Sequence, residues 1–125
     1  MKEFLMLFRN EKAADMRSPE QMQASLTAWQ NWIGDIAAQG NFVGTNRLYP
    51  EGKSLMANGA VIDGPYAETK EFIGGYLMVK CNSLEEAVEM AKGCPGLQYG
   101  GSVEVRSVMA MEMNEATKRF MAAQE

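Results

Sequence analysis

"EFLMLFR", residues 3–9, decides the fold. Its apolar side chains fall on both alternating sets, Phe4, Met6 and Phe8 on one and Leu5 and Leu7 on the other. A strand sends successive side chains to opposite faces, so this one suits a strand covered on both sides. Residues 73–81, "IGGYLMVKC", read the same way. What lies between and around these two strands fixes the architecture.

Downstream of the first strand comes "RSPEQMQASLTAWQNWIGDIAAQG". Ser18 can cap a helix, Pro19 fits its first position and Gln21 completes a capping box. Met22, Leu26, Trp29, Ile33 and Ile36 recur at helical spacing, and Gly40 ends the run. A strand is expected over about 42–48. "KSLMANGAVIDGP" follows as a β-hairpin turning at Asn58-Gly59. After the strand at 73–81, Ser83 caps a short helix whose apolar face is Leu84, Ala87, Val88 and Ala91, with Glu85 and Glu86 at its positive end. Residues 93–96, Gly-Cys-Pro-Gly, stop it. A last strand is expected over 102–111, then a C-terminal helix of weak amphipathicity.

The order is β-α-β-(hairpin)-β-α-β. This predicts an α+β domain on the ferredoxin-like βαββαβ plan with an inserted β-hairpin. The boundaries expected are 1–112 for the domain and 113–125 for a helical tail. Both right-handed crossovers place their helices on one face of the antiparallel sheet. If Leu5, Leu7, Leu77, Val79, Val103 and Val105 meet those helices, Phe4, Met6, Phe8, Tyr76 and Met78 are left on the other face, with Glu104 and Arg106. An apolar uncovered face calls for a lid, and a second copy supplies one, so a homodimer is expected. Charges on that face need partners or water, which a polar pocket between two sheets would provide.

Composition removes several chemistries. The 125 residues suit one domain, and 46% hydrophobic with 22% charged residues suits a globular fold. A net charge of −4 with no lysine/arginine cluster argues against nucleic acid. Apolar runs are too short to cross a bilayer, and "MKEFLMLFRN" reads as a first strand rather than a leader, so a cytoplasmic protein is expected. Histidine is absent, which excludes Ser-His-Asp and Cys-His pairs and imidazole metal ligands. No phosphate-loop glycine pattern surrounds Gly74-Gly75, which reads instead as a bulge or close backbone approach. No cofactor and no metal is expected. Cys81 and Cys94 read as reduced, structural thiols.

The stretch "DGPYAETKEFIGGYLMV", residues 63–79, resembles the signature of the YCII-related, DGPF-domain family, with Tyr66 where phenylalanine is usual. The opening strand, the "SPEQM" helix start, the "SLEEAVEMAKGCP" helix and the "GSVEVRSV" strand fall in that family's order, so the resemblance spans about 1–110. It implies a ferredoxin-like domain forming a dimeric α/β barrel. The wider superfamily includes muconolactone isomerase-like proteins, a dehalogenating relative and cofactor-free monooxygenases. Some relatives carry a His-Asp pair in the cleft. Asp63 corresponds to the aspartate, but no histidine exists here to complete the pair. Family members are also associated with extracytoplasmic-function sigma factors.

Asp63 is the candidate catalytic carboxylate, as a general base or as an acceptor orienting substrate. Its structural alternative is a turn aspartate bonded to nearby backbone N–H groups. Tyr66, Glu68, Lys70, Tyr76 and Arg106 are the candidate substrate-binding residues. Tyr76 could donate to a developing oxyanion, and Arg106 could hold a carboxylate bidentately or pair with Glu104. Glu71 fits a solvated loop. The expected function is a small-molecule-binding homodimer, with cofactor-free isomerase, lyase or dehalogenase-like chemistry on a small organic acid or lactone. The alternative is a non-catalytic accessory or sensor protein linked to a sigma factor.

Overall fold

The structure, a computed structural model, describes residues 1–11, 18–63 and 71–124. The elements are β1 (Lys2–Glu11), α1 (Pro19–Ala38), β2 (Phe42–Arg47), β3 (Lys53–Leu55), β4 (Val61–Asp63), β5 (Glu71–Cys81), α2 (Leu84–Ala91), a 3₁₀ turn (Pro95–Tyr99), β6 (Ser102–Ser107) and α3 (Glu115–Ala123). Four strands form one sheet in the order β2-β5-β1-β6, and all three pairings are antiparallel. This is the ferredoxin-like order, with β3 and β4 paired as a separate ribbon.

Local chemistry sets the element ends. Ser18 Oγ accepts the Gln21 N–H at 3.2 Å, and Gln21 Oε1 accepts the Ser18 N–H at 2.9 Å, a complete capping box. Ser83 Oγ caps α2 through the Glu86 N–H. The hairpin turns at Gly59, whose φ of +89° suits glycine, while Asn58 Oδ1 accepts the Ala60 N–H. Gly74 is the extra residue of a bulge: Phe8 faces Gly75 and Arg9 faces Ile73. At Gly75 the backbone of β2 comes so near that an added Cβ would sit 2.9 Å from the Asn46 carbonyl oxygen. Both readings of the glycine pair, bulge and close approach, therefore hold.

The core lies between the sheet and α1 and α2. It contains Phe4, Met6, Phe8, Ile36, Leu77, Val79, Cys81, Ala87, Ala91 and Cys94, with Trp29, Trp32, Met90, Val103 and Val105 packed against it. Phe8, Trp29 and Trp32 meet edge to face, with ring centroids 4.8, 5.9 and 5.7 Å apart. The Trp32 indole N–H donates to the Met90 carbonyl at 3.0 Å and ties the two helices together.

Four expectations need correction. Phe4, Met6 and Phe8 do not occupy the uncovered face. Met6 stands opposite Leu77 and Val105, and Phe4 opposite Val79, so these residues share the helix side. Leu5 and Leu7 point the other way, opposite Met78 and Tyr76. The reason is that β1 is apolar on both alternations, so its phase comes from its neighbours' register and the tryptophans that receive Phe8. On α1, Met22 and Leu26 are exposed, and the inward residues are Ser25, Trp29, Trp32 and Ile36. On α2, Leu84 and Val88 are exposed, leaving Ala87 and Ala91 as the small residues that let the helix sit close to the sheet. The last strand also stops at Ser107, and α3 buries none of its residues.

Candidate functional site

The four-stranded sheet has one helix-covered face and one face opposite it. Across the latter, register aligns two rows. Asn46, Tyr76, Leu7 and Glu104 stand side by side on β2, β5, β1 and β6; Gly44, Met78, Leu5 and Arg106 form the next row. Leu5, Leu7 and Met78 thus make an apolar floor between polar ends. They are half-buried, while Arg106 and Asn46 are exposed.

At the β2 end, Thr45 Oγ1 donates to the Tyr76 carbonyl at 2.7 Å and pins the strand in place. The neighbouring Asn46 Nδ2 then donates to the Tyr76 phenol oxygen at 2.9 Å. The phenol accepts that bond, so its own hydrogen remains to donate elsewhere. At the β6 end, Glu104 accepts from two arginines: Arg9 Nη2 at 3.0 Å and Arg106 Nη1 at 3.2 Å. The Arg9 bond, seconded by Arg106, holds the Glu104 carboxyl below the usual carboxylate range. Two guanidiniums and one carboxylate leave one net positive charge. Glu104 has both oxygens engaged and is suited to orienting arginines, not to taking up a proton.

Asp63 ends β4 on the separate ribbon, where Lys53 pairs with its carboxylate. Its side chain is 89% exposed, so the carboxylate stands in water. Tyr66, Glu68 and Lys70, and the Glu71 side chain, lie outside the described residues. Of the sequence candidates, Tyr76 and Arg106 are brought onto one face with Glu104; Asp63 has its only described partner on the ribbon. Sequence reasoning missed Arg9 and Asn46. Arg9 continues the Leu5, Leu7 alternation, a signal that becomes usable once the phase of β1 is known. Asn46 needed the β2–β5 register, which no local pattern gives.

A groove of about 800 Å³ lies on the other layer, between α1 and α2. Trp32, Asp35, Asn41, Glu85, Glu89 and Met90 line part of it. Glu86, also in the lining, accepts the Asn82 N–H, and Glu89 pairs with Lys92. The groove's described lining carries the carboxylates of Asp35, Glu85, Glu86 and Glu89 and no lysine or arginine, so the sheet face is the stronger candidate for an organic acid. Among the described residues, no cluster of His, Cys, Asp or Glu is arranged to hold a metal ion. Burial pushes the Cys94 thiol up to about 11 and raises the Cys81 thiol as well, so both are poor nucleophiles. Among the described residues no helix is long and apolar enough to cross a membrane.

The model of the YCII-related domain family matches residues 3–112. This chain belongs to that family. An uncharacterized protein of Rhizobium meliloti is 39% identical over 56 residues, a match covering 44% of this chain and 45% of that protein. The matched stretch is thus under half the length of this curated relative. Among solved structures, 5-chloro-2-hydroxyhydroquinone dehydrochlorinase from Burkholderia phenoliruptrix, in complex with 2,5-dihydroxybenzoquinone, is similar at 16% identity and a TM-score of 0.44, over 91% of this chain and 97% of that one. A protein of Arabidopsis thaliana is similar at 13% identity and a TM-score of 0.39, over 91% and 99%.

Proposed function

We propose that this protein binds a small organic acid on the uncovered face of its sheet, and that two copies bring those faces together around it. The observation that carries this reading is the row of polar groups held at both ends of an apolar floor. The Tyr76 phenol, which accepts from Asn46 and so has its hydrogen left to donate, stands at one end, and the Arg9–Glu104–Arg106 cluster presents positive charge at the other. Apolar surface beside the sheet supports a second copy: Val43 and Leu48 at its β2 edge, and Met109 and Met111 just beyond β6, are exposed.

If the bound acid or lactone turns over, the chemistry is cofactor-free proton transfer, isomerisation or elimination. Asp63 is then the base, because Glu104 is held by two arginines. Its carboxylate would act from the hairpin at the edge of the assembled site, and Tyr66, Glu68 and Lys70 of the adjoining stretch would help hold substrate.

A thermal-shift scan tests this reading, using small carboxylates, lactones, phenols and divalent metals on wild type, Arg106→Gln and Asp63→Asn. A ligand at a hundred times its dissociation constant stabilises by about 2.7 kcal/mol. A carboxylate hit that fades in Arg106→Gln supports binding on the sheet face. Turnover lost in Asp63→Asn with the fold intact supports the base role, and full retention removes it. A scan with no hit moves the reading to a non-catalytic accessory protein, whose partner, a sigma factor among the candidates, would be sought by pulldown.

A further inference from the structure

The register of the sheet face also measures its ligand. Tyr76 and Glu104 stand in one row with only Leu7 between them, and Arg106 lies one row away on the same strand as Glu104. Two strand spacings, about 10 Å, separate the backbones of β5 and β6, the strands that carry Tyr76 and Arg106. The floor between them is Leu5, Leu7 and Met78, which offers contact to a flat apolar body and no strong polar partner. That scale suits one ring; a short aliphatic acid would leave Leu7 uncovered, and a fused ring system would overrun an end.

Each end has its own chemistry. Asn46 occupies the acceptor side of the Tyr76 phenol, so the phenol hydrogen seeks an oxygen. At the other end, Arg106 gives Glu104 one hydrogen bond, and most of its five-donor fork has no further partner among the described residues. Its side chain is 67% exposed. A planar fork matches a carboxylate bidentately. Glu104 accepts from both guanidiniums and repels an anion from the nitrogens it engages, which directs a ligand carboxylate to the remaining donors of Arg106.

We propose that the ligand class of this face is a single-ring carboxylic acid with a second oxygen across the ring, the carboxylate on Arg106 and the oxygen on Tyr76. This rests on the binding reading above and narrows it. Tyr76 is then the residue that decides specificity, and Asn46 is a positioning residue that fixes which way the phenol donates.

Isothermal titration with four probes tests it: 4-hydroxybenzoate, benzoate, phenol and inorganic phosphate. In wild type, 4-hydroxybenzoate should bind tightest. Tyr76→Phe should weaken it about tenfold, the worth of one hydrogen bond, and leave benzoate unchanged. Asn46→Ala should weaken 4-hydroxybenzoate by less and also spare benzoate. Arg106→Gln should weaken both carboxylates. If benzoate binds, responds to Arg106→Gln and equals 4-hydroxybenzoate in affinity, the face binds acids but the second-oxygen assignment falls. That assignment falls equally if Tyr76→Phe, folded by near-ultraviolet circular dichroism, binds 4-hydroxybenzoate as wild type does. Phosphate binding tighter than either carboxylate would overturn the ring assignment. No binding of any probe would bring down the sheet-face reading and this inference together.

Discussion

One strand serves two unlike faces. On the helix side, β1 contributes Phe4, Met6 and Phe8, which are 2%, 0% and 7% exposed. On the other side it contributes Leu5, Leu7 and Arg9, all half-buried. On the helix face Phe8 reaches Trp29 and Trp32, and among the described residues no ionised group is buried there. The opposite face has a floor of similar apolarity but ends in Tyr76, Arg9, Glu104 and Arg106. The difference is one of closure. A face with its own helices can dispense with polar groups, whereas a face that must receive something keeps donors at its rim.

Truncating each side of β1 in turn should separate the two faces most clearly. Met6→Ala should cost about 2–5 kcal/mol, as expected for a fully buried side chain that leaves a cavity. Leu7→Ala, one residue away, should cost about 1 kcal/mol or less in dilute protein. Urea unfolding measures both, and equal losses would mean that the two faces are not distinct.

Gly75→Ala probes the seam between β5 and β2. The new Cβ would press on the Asn46 carbonyl, a backbone atom that cannot swing away. The expected loss is about 1–3 kcal/mol, again read from urea unfolding. Because Asn46 must move, 4-hydroxybenzoate binding should also drop. A neutral Gly75→Ala would show that β2 is not held where the site needs it.

A smaller effect, read through pH, isolates the charged rim of the open face. Two arginines hold the Glu104 carboxyl below its usual range. Its stabilisation is therefore fully present above the unfolded glutamate value, about 4.3, and is lost as pH falls through the lower folded value. The melting temperature of wild type should exceed that of Glu104→Gln most near neutrality, and the gap should narrow as pH falls below the unfolded glutamate value and close once it passes the lower folded one. The gap is small because the pair is partly solvated. A gap that stays constant with pH would deny Glu104 its ionised role.

Much of the fold was legible because its signals are local. The capping box at Ser18 and Gln21, the Ser83 cap, the Asn58-Gly59 turn and the Gly74-Gly75 bulge each depend on a few adjacent residues. The element order then leads to the sheet topology. The phase of β1 was not legible, since both its alternations are apolar and only cross-strand register separates them. The stripe on α1 misled in the same way: Met22 and Leu26 keep helical spacing but lie in the turns that remain exposed. Of the site, Tyr76, Glu104 and Arg106 could be placed on a common face from alternation alone. Arg9 and Asn46 could not, because each matters through a partner distant in sequence.

The proposed site depends above all on the uncovered face being built to receive a second copy of the chain. Sedimentation equilibrium on wild type and Leu7→Asp decides this, with circular dichroism to confirm that both are folded. The expected result is a dimer for wild type and a folded monomer for Leu7→Asp, since a carboxylate in the middle of the floor cannot be buried unpaired. A monomeric wild type at micromolar concentration, or a Leu7→Asp variant that remains dimeric, would refute it.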